Sequence, residues 1–212
     1  EYSNTNTVLL GLIAEGIVGK PLGEIYEERL FAPLGLTETS YPETTDTSIP
    51  EPHPHGYMFS NNVDTMTEPS LSDEDLAAAA AGDLLPTDHT GANPSWTSAA
   101  GMGISTAADL ATWVEALARG DGLLSDEMQQ RRIDSVEPNG QGGDYGWGLA
   151  RMGTFYGHIG SIPGYNSFMG HDPDTETTLI VWTTLAPGAD GRPPAPVIAK
   201  ELIDAMYVAP TA

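Results

Sequence analysis

Apolar positions in this chain follow a helical period first and a strand period later. Residues 7–18, TVLLGLIAEGIV, place Val8, Leu9, Leu12, Ile13 and Ile17 on one helical face. Asn4 or Thr5 is expected to cap this helix and Gly19 to stop it. Pro21 suits the first turn of a second helix, PLGEIYEERLF, with Leu22, Ile25, Tyr26 and Leu30 as its buried stripe and Pro33 and Gly35 at its end. Residues 37–70 read as a long irregular connection rich in Thr, Pro, Ser and Asn. Ser72 with Asp75 three residues on predicts the start of a short helix. Residues 83–104 are again loop-like. Ser105 or Thr106 then caps a helix carrying Leu110, Trp113, Val114 and Leu117 on one face. Another helix runs from Ser125 to about Ile133.

Beyond residue 136 the period shortens to two. DYGWGLARM, GTFYGHIGS, YNSFMGHD and TTLIVWTTL are short aromatic and β-branched runs, which predict an antiparallel meander with a hairpin turn at DPDTET. A last helix, PAPVIAKELIDAMYV, follows. Helices, then strands, then one helix predict an α+β fold, an antiparallel sheet flanked by helices with a helical lobe. The expected division is 1–135, mainly helical with long loops, and 136–212, strands and the last helix.

Composition narrows the function classes. The 212 residues suffice for one domain or two unequal lobes. Thirty acidic residues face eight basic ones, a net charge of −22. Dispersed negative charge repels nucleic acid and anionic lipid, so neither is an expected partner. Two readings of the charge stand, a solvated surface or adaptation to high salt. The absence of cysteine excludes disulfides and thiol chemistry. No apolar run is long enough to span a membrane, and no basic-then-apolar leader is visible.

Several runs carry chemistry together. YSNTNTVLLGLIAEGIVGKPLGEIYEERLFAPLGLTET resembles the second-motif region of the serine β-lactamase and penicillin-binding-protein superfamily. The similarity leans to the branch of D-alanyl-D-alanine carboxypeptidases, class C β-lactamases and related esterases. SAAGMGISTAADLATWVEALARG resembles a later helix-entry segment of that branch, and GHIGSIPGYNSFMGHDPDTETTLIVWTT its third-motif strand and return strand. The three blocks stand in the family's order.

The resemblance implies acyl transfer through a serine ester on amide, β-lactam or ester substrates, without cofactor or metal. It matches Tyr2 and Asn4 to the Y-x-N motif, Tyr2 as the proton-relaying phenol and Asn4 as the substrate-orienting carboxamide. Asn4 alone would also read as an ordinary N-cap. His158, Ile159 and Gly160 match the H-x-G form of the third motif. There His158 supplies a proton or positive charge, Gly160 leaves room for substrate, and the Ser161 N–H is an oxyanion-hole donor. Strand alternation points His158 into the cleft and Ile159 inward.

His53 and His55 in EPHPHGY are expected to be structural rather than metal ligands, and His89 and His171 to be loop residues. The Gly-rich NGQGGDYGWG lacks the lysine of a phosphate loop and reads as a turn into a strand.

One family element is missing. S-x-x-K does not occur, since Ile17 stands three residues before Lys20 and Val197 three before Lys200. In the family this motif precedes Y-x-N. The expectation is therefore the C-terminal part of a longer hydrolase, incomplete in fold and lacking its nucleophile. A truncated gene, a cleaved enzyme with the remainder on another chain, or an inactive remnant serving as a binding module each fits. An apolar face left uncovered would be met by the missing segment or by another copy. Family resemblance favours a secreted, periplasmic or extracellular location, and a small-molecule or peptide substrate.

Overall fold

The computed structural model describes residues 2–59, 70–139 and 143–207. Gly140, Gln141 and Gly142 of the Gly-rich run, residues 60–69 of the long connection, and Val208 lie outside the described residues. The fold is α+β, with helices and an antiparallel sheet.

The first helix, α1, spans Asn4–Val18. Its cap is Ser3 rather than Asn4 or Thr5: the Ser3 hydroxyl accepts from the Thr5 N–H at 3.3 Å. Ser3 has extended backbone, so the chain turns into the helix one residue earlier than expected. Gly19 stops it in the left-handed conformation. The apolar face read from the sequence is not the buried one. Leu9, Leu10, Leu12, Ile13 and Ile17 are all exposed, Ile17 by 81%. The helix docks instead through Gly11, where an added Cβ would come within 2.7 Å of the Ala99 side chain. Glycine at this position permits that close approach, and the leucine-rich side is left open.

The second helix is also less regular than its period suggests. Leu22–Tyr26 is α-helical, Glu27–Phe31 forms a π turn, and Ala32–Leu34 resumes before Gly35. The wider turn breaks the i, i+3, i+4 stripe. Leu22 and Ile25 are buried, while Tyr26 and Leu30 are half-buried. The expected starts are met at Ser72, Thr106 and Ser125, which cap the helices Asp73–Ala81, Ala107–Arg119 and Asp126–Asp134. A 3-10 segment covers Pro94–Ala100.

The strands are β1 (Tyr57–Met58), β2 (Thr87–Asp88), β3 (Glu137–Pro138), β4 (Asp144–Tyr145), β5 (Ala150–Met152), β6 (Phe155–Ile162), β7 (Tyr165–Asp172) and β8 (Thr177–Thr183). β1 and β2 pair alone, and β3 to β8 form one sheet in sequence order. Its first pairings are antiparallel, with Tyr145 opposite Ala150 and Ala150 opposite Gly157. The helix Pro194–Tyr207 follows.

The chain divides into two compact units, and β6, β7 and β8 run through both. The first comprises Glu1–Thr47, Asn93–His158 and Met169–Ile180. Its core includes Leu22, Ile25, Leu36, Met102, Val114, Leu117, Leu149 and Phe155. Asp109, nearly buried, ties it together by accepting from the Glu38 N–H (2.7 Å) and the Thr39 hydroxyl (2.8 Å). His171 belongs to this unit and is not a loop residue. It lies on β7, 2% exposed, accepting from Arg119 Nε at 3.4 Å and lying 2.9 Å from the Thr178 hydroxyl. The strand run YNSFMGHD extends through it, from Tyr165 to Asp172.

The second unit comprises Ser48–Ala92, Ile159–Phe168 and Val181–Ala212, with Met58, Phe168, Ala186, Ala195, Ala199 and Ile203 buried. Here Gly56 lies against Tyr165, whose hydroxyl donates to the Pro54 carbonyl at 2.9 Å. His55 Nδ1 sits 2.6 Å from Asp88. Bonds from the Thr90 hydroxyl and from His55 hold the Asp88 carboxyl well below the usual carboxylate range. Among the described residues no group of three or more His, Cys, Asp or Glu is placed to hold a metal ion. No helix there is long and apolar enough to cross a membrane.

Candidate active site

Tyr2, Asn4 and His158 come together in the first unit, and Tyr145 joins them. Because Ser3 is extended, the side chains of Tyr2 and Asn4 project to the same side of the helix entry. The Tyr2 hydroxyl donates to Asn4 Oδ1 at 3.0 Å. The Tyr2 ring lies 6.4 Å from the His158 imidazole, centroid to centroid, at 46°. Tyr2 is 42% exposed.

His158 sits in β6, and its Nε2 lies 3.0 Å from the Tyr145 hydroxyl. The Tyr145 ring meets both neighbours edge-on, Tyr2 at 5.3 Å and 87°, His158 at 5.5 Å and 79°. Burial, and then the neighbouring Tyr2 phenol, push the Tyr145 hydroxyl up to about 12. It therefore keeps its proton near neutrality. Of these four groups only His158 can carry positive charge.

Gly160 and Ser161 follow His158 on the same strand and belong to the second unit. An added Cβ at Gly160 would lie 2.5 Å from the Ser167 hydroxyl, which gives glycine a packing reason here. The Gly160 carbonyl accepts from Asn166 Nδ2 at 2.6 Å. Asn166 is buried, and its Oδ1 accepts from the Ala195 N–H at 2.8 Å. Ser161 is exposed. Ile159 does not pack inward as strand alternation suggested. Phe155 and Gly157 on its face are buried, but Ile159 is 45% exposed. The period of two assigns the face without saying how far along the strand it is covered.

Neither lysine joins the phenols and the imidazole. Lys20 pairs with Glu28, and Lys200 with Asp204 at 2.5 Å, all partly exposed. An apolar cavity of about 180 Å³ lies elsewhere in the first unit, lined in part by Phe31, Leu36, Ile104, Leu110 and Trp113. It includes none of the four site residues.

Tyr145 is the site residue that sequence reasoning missed. Its run reads as a strand entry, and nothing local marks the tyrosine. Register would not have found it either, since pairing β4 with β5 and β5 with β6 puts Tyr145 in the row of Gly157, and side chains alternate faces from Gly157 to His158.

The family is shown by comparison. The Beta-lactamase family model matches residues 1–202, and the chain belongs to that family. Penicillin-binding protein 4* of Bacillus subtilis (strain 168) is 27% identical over 186 residues, which is 84% of this chain and 38% of that protein. The crystal structure of a D-stereospecific amidohydrolase from Streptomyces sp. superposes with a TM-score of 0.74 at 28% identity, over 100% of this chain and 55% of that one. D-amino acid amidase from Ochrobactrum anthropi SV3, complexed with L-phenylalanine, gives 0.74 at 27% identity, over 97% of this chain and 58% of that one. The chain thus spans between about two fifths and three fifths of these relatives' lengths.

Proposed function

We propose that this chain supplies one side of the active site of a serine hydrolase that cleaves amides or β-lactams through an acyl-enzyme. The observation that carries the reading is the convergence of Tyr2, Asn4 and His158, three groups matched independently to two family motifs. The attacking serine and its lysine come from residues outside this sequence, which holds no S-x-x-K.

In this reading Tyr2 relays the proton between the serine oxygen and the leaving group. Its hydroxyl donates to Asn4 Oδ1, which holds phenol and carboxamide side by side for the reacting oxygen and the substrate's amide. His158 supplies the nearby positive charge or proton that a phenol needs to exchange its own near neutrality. The Ser161 N–H stabilises the tetrahedral oxyanion, and Gly160 lets the substrate lie against β6. The names of the two solved relatives favour D-amino-acid amides over esters as the substrate class. The exposed leucines of α1 are the surface on which the rest of the hydrolase would rest. A secreted or periplasmic location goes with this assignment.

The test is acylation of the intact gene product by a fluorescent penicillin, read by mass, together with release of ammonia from D-phenylalanine amide. Tyr2→Phe is expected to slow acylation by about a hundredfold or more, in the range of general acid–base catalysis. An intact product that forms no adduct and releases no ammonia would overturn the proposal.

A further inference from the structure

Two phenols stand at this site, and they have different partners. The Tyr2 hydroxyl is committed to Asn4, and the Tyr145 hydroxyl to His158 Nε2. The Tyr145 ring also stands edge-on against both Tyr2 and His158. Tyr145 is moreover half-buried where Tyr2 is exposed, so its hydroxyl is held within the protein rather than offered to a ligand.

We propose that Tyr145 is a positioning residue of this site, gripping His158 through its hydroxyl and propping Tyr2 through its ring edge. The proposal rests on the function assigned above to Tyr2 and His158. In this proposal the Tyr145 hydroxyl is the donor to Nε2 across their 3.0 Å separation. Neutral His158 then carries its proton on Nδ1, and the ring cannot swing without breaking a hydrogen bond and an edge-on contact. The aromatic contact with Tyr2 extends the same restraint to the catalytic phenol. The imidazole and the phenol of Tyr2 thereby keep a fixed mutual orientation before substrate arrives.

The test uses the intact gene product labelled with ¹⁵N-histidine, the His158 signals assigned by their loss in His158→Asn. The neutral wild-type imidazole is expected to show the Nδ1–H tautomer. In Tyr145→Phe, which keeps the ring and removes the hydroxyl, a mixture of tautomers is expected. kcat for D-phenylalanine amide should fall about three- to tenfold with KM within about twofold, as expected for one lost hydrogen bond. An Nε2–H tautomer in the wild type would overturn the proposal, whatever the variant does. So would a Tyr145→Phe protein with unchanged tautomer and kcat. If neither probe is turned over but the tautomer shifts as stated, the hold on His158 stands and the catalytic assignment fails. If Tyr2→Phe abolishes turnover and Tyr145→Phe changes nothing, the catalytic assignment stands and the proposal fails.

Discussion

Gly157→Ala isolates the tightest packing point beside the candidate site. A Cβ at this position would stand 2.8 Å from both Gly170 Cα and the Met169 carbonyl carbon, with the Met169 carbonyl oxygen closer still. Carbon atoms in good contact sit about 3.5–4.0 Å apart, so the new methyl is about 0.7 Å too close to two backbone atoms. No side-chain rotation can relieve this, because all three obstacles are main chain. Strands β6 and β7 must separate locally. Overpacking usually costs about 1–3 kcal/mol, and a backbone-only clash belongs at or above the upper end. About 3 kcal/mol corresponds to a fall of roughly 6–12 °C in Tm for a protein of this size. Gly16→Ala makes the control. Nothing lies within 4 Å of a Cβ there, and the position is inside α1, so the same added methyl should stabilise by about 0.5–1 kcal/mol. The assay is thermal unfolding of both variants followed by circular dichroism, with urea titration as a second measure. A Gly157→Ala protein that melts within about 2 °C of the parent would refute the packing argument.

Three further outcomes follow from the structure. The folded state holds the Tyr145 phenol at about 12, above the roughly 10 of a free tyrosine, so the unfolded chain ionises first as pH rises. Its stabilising contribution should be complete below about pH 10 and fade towards pH 12; phenolate absorbance should show one late step that Tyr145→Phe lacks, and full ionisation of every tyrosine by about pH 11 would contradict this. Asn166→Ala should cost about 2–4 kcal/mol in urea unfolding, since it strands the Gly160 carbonyl and the Ala195 N–H, and a loss below 1 kcal/mol would count against the bridge. Asp109→Ala should cost about 2–3 kcal/mol by removing the acceptor of the Glu38 N–H and the Thr39 hydroxyl, with Asp109→Asn recovering part of it.

Much of this architecture was legible because capping chemistry is local. Ser72, Thr106 and Ser125 each start a helix by accepting a backbone N–H, and Gly19 and Gly35 each end one. The meander was legible from its period and turns. The convergence of Tyr2, Asn4 and His158 was legible through the family resemblance, since Asn4 alone reads as an ordinary N-cap. What periodicity could not supply was which face is covered. On α1 the leucine-rich side lies open and Gly11 makes the contact; on β6 cover reaches Gly157 and not Ile159. Tyr145 and His171 escaped for a related reason. Each acquires its role from a partner distant in sequence, His158 for one and Arg119 for the other, which no short window contains.

The Asn166 bridge has a consequence for watching this molecule move. Amide protons in the first turn of a helix normally trade with solvent quickly, for want of an intrahelical acceptor. The Ala195 proton has an acceptor from outside its own helix, a buried side chain anchored to the Gly160 carbonyl. Its deuterium uptake should therefore be slow, and should quicken whenever β6 loosens at Gly160. One backbone proton becomes a gauge of how firmly the strand bearing the imidazole is held, readable with no substrate and no turnover.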